Sequence, residues 1–257
     1  MIIIKEWRVY YINMNTESSS NNLLNRVLDA HGGLEHWQKV RYLDVRLSLS
    51  GGLFQIKGRP EGFHDVIMRM EMHQPRVTLV PFGGPDCRGQ FTPDRVWIEE
   101  RNGRIVEERT NPRASFAGHV LETRWDQLQM LYFTSYAMWN YLTTPLLFTL
   151  PGVDVREIGP HKEHGETWER LQVRFPSTIP THCTEQTFYF NEKGLLQRLD
   201  YVTDIVGGVA AHYCFDNTGF SGLVFPILRR VVSRTSNDPL ISDPTAVLIL
   251  ISDILVW

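Results

Sequence analysis

The sequence has little cysteine: only Cys87, Cys183 and Cys214, and no CxxC pair. That spacing excludes a zinc site built on paired thiolates. The odd number argues against a disulfide framework, so reduced thiols in a cytoplasmic protein are expected. An excess of charge of one sign is also missing. Net charge is -3 and the sequence pI about 6.3, so no global field favours nucleic acid or an anionic membrane. Long hydrophobic runs are absent too. No stretch reaches the ~20 apolar residues of a membrane helix, and AVLILISDILVW is broken by Ser252 and Asp253. The glycine pairs at 51–52, 83–84 and 207–208 lack GxGxxG or GK[ST] spacing, and no GxSxG occurs. Nucleotide and serine-hydrolase chemistry therefore have no motif to rest on.

What is present is a core and a period. Hydrophobic residues make up 42% of 257, enough for one large β domain. The opening MIIIKEWRVYYIN is interrupted by Lys5, Glu6 and Arg8, and no small-residue cleavage site follows it. Residues 1–20 are expected to be a disordered or ancillary leader, with Met14 an alternative start, and 21–257 a single domain. In NLLNRVLDAHGG, Leu23, Leu24, Val27 and Leu28 form one helical stripe that ends at Gly32 and Gly33. LEHWQKV reads as a short second turn with Trp37 buried. The period then drops to two. Leu43, Val45, Leu47 and Leu49 alternate with polar residues, and FQIKG, HDVIMRMEMH, RVTLVPF, DRVWIEE and RIVEERT follow at hairpin spacing.

Alternation stops at Trp125. Leu128, Leu131, Tyr132, Ser135 and Trp139 recur at helical spacing, and Pro145 closes the segment. A helix over about 126–141, apolar nearly all round, is expected to be buried or to wall a cavity. Strands resume with VDVREIG, ETWERLQVRF, THCTEQTFYF, LLQRLDYVTD, VAAHYCFD, LRRVVSRT and AVLILISDI. The fold expected is mainly β with α: about 11 to 13 antiparallel strands in a curved half-barrel, wrapped around an N-terminal helix and a mid-chain helix.

This element order, with HGGLEHW leading into alternating strands, resembles the LolA/LolB-like half-barrel superfamily. That superfamily includes lipoprotein carriers and, in the VioE and ScyC types, cofactor-free enzymes of secondary metabolism. The resemblance implies an apolar cavity between sheet and helix. It also implies one of two functions: a cofactor-independent cyclase or decarboxylase acting on an apolar or aromatic carboxylate, or a non-catalytic carrier of a lipid or other hydrophobic ligand. No metal or cofactor is expected, and the partner would be a small hydrophobic or aromatic molecule bound by a monomer or homodimer.

Candidate residues follow from the faces. Aromatics with polar tips, Trp125, Tyr132, Tyr136, Trp139 and Tyr141, gather in the helical region and suit ligand lining or core packing alike. LLQRLDY sets Leu195, Leu199 and Tyr201 on one side of an extended chain, and Leu196, Arg198 and Asp200 on the other. His182, Thr184 and Gln186 share a face of THCTEQTFYF. His212 and Cys214 lie opposite Val209, Ala211, Tyr213 and Phe215. If these strands are neighbours, His182, Arg198, Asp200 and His212 could meet, with a histidine moving protons and Arg198 clamping a carboxylate. If the opposite face turns inward, Glu185 and Tyr189 become the candidates. The sequence leaves the inward face open, and a solvated sheet face is the simpler expectation.

Overall fold

A computed structural model describes residues 22–163, 165–234 and 245–257. The expected leader, 1–20, and Met14 lie outside the described residues, as does His164. Two short helices come first, α1 (Asn22–Ala30) and α2 (Leu34–Lys39). Between them Gly32 has a φ of +112°, and a Cβ there would lie 2.5 Å from the Gly222 carbonyl oxygen, so the cap accepts only glycine. The α1 stripe of Leu23, Leu24, Val27 and Leu28 is buried as the periodicity requires.

The strands are β1 (Tyr42–Ser50), β2 (Phe63–Glu71), β3 (Val77–Val80), β4 (Cys87–Thr92), β5 (Arg95–Glu100) and β6 (Ile105–Thr110). After the helical insertion come β7 (Asp154–Glu163), β8 (Glu166–Arg174), β9 (Glu185–Phe190), β10 (Leu196–Val202), β11 (Val209–Phe220), β12 (Leu223–Arg234) and β13 (Thr245–Val256). They form one sheet in the order β6-β5-β4-β3-β2-β1-β13-β12-β11-β10-β9-β8-β7. Each half is a run of consecutive hairpins, and pairing of β1 with β13 joins the halves. Leu43, Val45, Leu47 and Leu49 all turn to the core face of β1.

The long helix is α4 (Gln127–Thr143). Asp126 caps it reciprocally: its carboxylate accepts from the Gln129 backbone N–H at 2.8 Å, and the Gln129 side chain accepts from the Asp126 N–H at 3.1 Å. Leu128, Leu131, Tyr132, Tyr136 and Trp139 are all buried. The helix lies against β3 to β6 on the concave side of the sheet.

The structure corrects several element expectations. FQIKG is no strand; Gly52–Ile56 forms a helical turn, α3. Four residues of apolar-polar alternation also fit one helical turn, because Phe54 and Lys57, both buried, stand at i, i+3. The strand β4 carried no clear alternation signal, because Gly89 occupies an inward position. A Cβ at Gly89 would meet Leu131 of α4 at 2.6 Å, so the helix's close approach needs the glycine. His161 lies within β7 and pairs with Trp168. THCTEQTFYF becomes a strand only at Glu185. His182 sits in the loop before it and escapes the alternation that placed it beside Thr184 and Gln186.

Candidate functional site

A cavity of about 610 Å³ opens on the concave side, within the usual range for small-molecule pockets of roughly 300–1,000 Å³. Met138 and Ala137 of α4, Phe54 of α3, Ala210 of β11, Val231 of β12 and Val247 of β13 contribute to its apolar wall. Ile56, Leu121 and Val209 also line it and are exposed, so they mark the rim. Among the described residues, no Asp, Glu, Lys or Arg lines this cavity.

One wall is polar but uncharged. His182, Tyr141 and Tyr201 line the cavity. The Tyr136 hydroxyl is 2.9 Å from His182 Nδ1, the Tyr141 hydroxyl 2.7 Å from His182 Nε2, and the Tyr141 and Tyr201 hydroxyls 2.7 Å apart. Tyr201 stacks on the imidazole at 4.4 Å with an 8° tilt. The loop holding His182 is pinned on both sides. Asn140 donates to the Pro180 carbonyl at 2.6 Å, Arg113 to the Thr181 carbonyl at 3.0 Å, and the Asp204 N–H to the His182 carbonyl at 3.1 Å. Burial, helped by the Arg113 charge, lowers the His182 pKa to about 3, so the ring is neutral at pH 7.

Behind this wall lie His212 and Arg229. The His212 ring meets the Tyr141 ring edge-on at 4.4 Å, and among the described residues neither of its nitrogens has a hydrogen-bond partner. Burial drives its pKa well below the ordinary value, with Arg229 adding to the effect. Arg229 donates to the Tyr141 carbonyl at 3.0 Å and to Cys214 Sγ at 3.5 Å. Arg229 is not legible in the sequence, because nothing in the RR pair of LRRVVSRT marks its first arginine as the inward one.

The four polar candidates do not converge. Leu199 pairs with His212 and Arg198 with Tyr213, which puts His212 on the cavity side and Arg198 on the outer side. His182 and His212 therefore lie inside, whereas Arg198 and Asp200 face away. Arg198 is nonetheless buried, at 2% exposure of its side chain. Its Nε and Nη2 each donate to Asp200 at 2.6 Å, and Nη1 donates to Glu163. The Tyr189 and Tyr213 rings flank the guanidinium at 4.8 and 5.3 Å. The Tyr189 hydroxyl donates to Asp200 at 2.9 Å, the Tyr213 hydroxyl to Glu163 at 2.6 Å, and Arg234 reaches Asp200 at 3.0 Å. This is a self-satisfied ion cluster on the convex face. Glu185 is exposed and accepts from Gln172 at 2.7 Å.

Of the aromatic candidates, Tyr141 and Tyr201 line the cavity. Trp125, Tyr132 and Trp139 pack elsewhere: Trp125 against Phe116 and Phe133, Tyr132 against Phe91, and Trp139 with its indole N–H on the Glu71 carbonyl at 2.8 Å. Tyr189 belongs to the outer cluster.

The rim has its own fastening. The buried Lys57 ammonium donates to the Leu121 carbonyl at 2.6 Å and to those of Val120 and Thr123 at 3.3 Å, and lies 4.7 Å from the Trp125 ring centre. Lys57→Met leaves these carbonyls without their donor, at a cost of about 1–3 kcal/mol. Hydrogen exchange at residues 118–124 is expected to speed up by tenfold or more. Unchanged protection there would mean that Lys57 does not hold the segment.

No protein-family model matches the chain, and a search of curated proteins found no match. Solved structures do resemble it. A domain named for outer membrane lipoprotein sorting, from Vibrio parahaemolyticus, superposes with a TM-score of 0.53 at 8% identity, covering 92% of each chain. A LolA superfamily protein from Nitrosomonas europaea gives 0.49 at 8% identity, covering 89% of this chain and 90% of that one. A DUF1329 family protein from Desulfovibrio piger gives 0.49 at 11% identity with the same coverage. At such identities the likeness concerns the fold, which is the LolA-like half-barrel.

Proposed function

We propose that this chain binds and carries a hydrophobic small molecule in the cavity between α4 and the sheet. The observation that carries this reading is the lining: apolar side chains, hydroxyls and one neutral imidazole, with no charged group among the described residues. Such a wall stabilises an apolar guest by about 25 cal/mol per Å² removed from water and offers nothing to a free ion. The fold shared with a domain named for lipoprotein sorting adds support.

The cofactor-free cyclase or decarboxylase reading has less behind it. It asks for a cation that clamps a carboxylate and a proton shuttle titrating near neutral pH. Arg198 is on the convex face, locked between Asp200 and Glu163. His182, with a pKa of about 3, is a weak base at pH 7 and holds no second proton to give.

The test uses a neutral fluorescent probe, N-phenylnaphthylamine, and the variant Ala210→Phe. Ala210 lines the cavity from β11, so a phenyl ring there occupies the guest's space. Wild-type protein is expected to bind the probe, and the variant to bind it at least tenfold more weakly while melting no lower. Equal affinity in the two proteins would show that the probe sits elsewhere and would remove the proposal's basis.

A further inference from the structure

The hydroxyl chain on the cavity wall can be counted proton by proton. Tyr136, His182, Tyr141 and Tyr201 are joined by three hydrogen bonds. Burial raises the pKa of all three phenols, so each keeps its proton. The neutral imidazole supplies one N–H and one acceptor nitrogen. Four hydrogens thus serve three links, and one donor is left over at an end of the chain.

Which end is decided by burial. If His182 carried its proton on Nδ1, it would donate to Tyr136. The Tyr136 proton would then be stranded, because His182 Nδ1 is the only acceptor within its reach among the described residues. A buried donor without a partner costs about 1–3 kcal/mol. With the proton on Nε2, every link closes in one direction. Tyr136 donates to Nδ1 and Nε2 donates to Tyr141. Either hydroxyl of the Tyr141–Tyr201 pair can donate; Tyr141, polarised by accepting from Nε2, is the better donor and gives its proton to Tyr201. The surplus donor is then the Tyr201 hydroxyl, on a residue that lines the cavity.

We propose that the cavity selects a hydrophobic ligand bearing an uncharged oxygen acceptor, an ester or ketone carbonyl, which accepts the Tyr201 hydroxyl proton. This rests on the hydrophobic-ligand reading above and names the chemistry of that ligand's polar end. An ionised carboxylate is disfavoured. Among the described residues no cation lines the cavity, and Arg229 is engaged behind the wall with the Tyr141 carbonyl and Cys214. An unpaired anion in an apolar site is costly. A plain hydrocarbon fits the space but leaves the Tyr201 donor unmet.

The experiment is a competition assay in which hexadecane, methyl palmitate and palmitate each displace N-phenylnaphthylamine. It is run on the wild type, Tyr201→Phe and Tyr136→Phe. The ester's advantage over hexadecane in the wild type is expected to exceed that in Tyr201→Phe by about tenfold, the worth of one good hydrogen bond. Hexadecane itself should bind Tyr201→Phe no more weakly than the wild type, because the donor it leaves unmet is gone. Palmitate is expected to compete more weakly than its ester. Tyr136→Phe removes the far-end hydroxyl that fixes the imidazole proton, so it should shrink the ester's advantage without touching the cavity. Should Tyr201→Phe fail to fold, Tyr136→Phe and the wild-type order of ester over palmitate still decide. The same ester advantage in all three proteins, or palmitate binding tighter than ester, would overturn the inference while leaving a hydrophobic carrier. Failure of the probe and all three competitors to bind would overturn the carrier reading, and this inference with it.

Discussion

Lowering the pH from 7 to 5 is expected to cost this protein several kcal/mol of stability, before its carboxylates begin to titrate. The cause is three buried neutral histidines. Burial lowers the His31 pKa to about 4, the His182 pKa to about 3, and the His212 pKa well below its ordinary value. The nearby charges, Arg229 for His31 and His212 and Arg113 for His182, act in the same direction. In the unfolded chain each returns to the ordinary histidine value of 6.5. Between pH 6.5 and about 4 the unfolded state therefore binds protons that the native state refuses, and stability falls as pH falls. The stabilisation is complete above pH 6.5. Each histidine withdraws about 1.4 kcal/mol per pH unit below it, so three withdraw roughly 6 kcal/mol by pH 5. At about 2–4 °C per kcal/mol for a chain of this size, the melting midpoint should drop by more than 10 °C. Glu163 and Asp126 are held below the carboxylate range despite burial that pushes them up, by Tyr213 and Arg198 and by Arg109 respectively. Their stabilisation is lost only at lower pH and does not blur the window. Thermal melts at constant ionic strength measure the slope, and His182→Gln should remove about a third of it. A midpoint that stays flat from pH 7 to 5 would mean that these histidines are wet or charged.

Arg198→Met is expected to destabilise the fold by about 3–5 kcal/mol, the usual cost of removing one partner from a buried ion cluster. Methionine keeps much of the stem's volume, so the loss isolates the charge. Glu163 and Asp200 would lie in a pocket walled by Tyr189 and Tyr213 without the guanidinium that satisfies both. Arg234 and His161 remain as their partners at 3.0 Å each, which caps the damage. Urea denaturation reads the stability, and probe titration reads the cavity on the other face. Affinity should change by less than twofold. Adding Glu163→Gln and Asp200→Asn should recover part of the lost stability, since no carboxylate is then left bare. A variant of normal stability that no longer bound ligand would put Arg198 back in the role of carboxylate clamp.

The two faces of LLQRLDY show how far the sequence could be read. Alternation correctly separated Leu199 and Tyr201 from Arg198 and Asp200. It could not say which side was concave, because both sides of this strand are largely buried. Strand periodicity usually works because one face is wet. Here the convex face carries its own cluster of aromatics and ion pairs, and the contrast disappears. The fold was legible because turn signals, the β1 alternation and the all-round apolar α4 are local features. The cavity was less so. Tyr141 was named for its amphipathic ring and Tyr201 was placed by its face of LLQRLDY, but Phe54, Val231 and Val247 come from segments far apart in the chain. His182 was found for its residue type rather than its place, because the loop at 181–184 interrupts the period that was used to orient it.

The central claim is that the hollow between α4 and the sheet holds an oily guest, and native mass spectrometry tests it most directly. The protein would be incubated with vesicles made from a total lipid extract, separated from them, and sprayed intact. The account predicts one added small apolar mass per chain in the wild type and none in Ala210→Phe. Apo mass alone in the wild type, or the same adduct in both proteins, would contradict it.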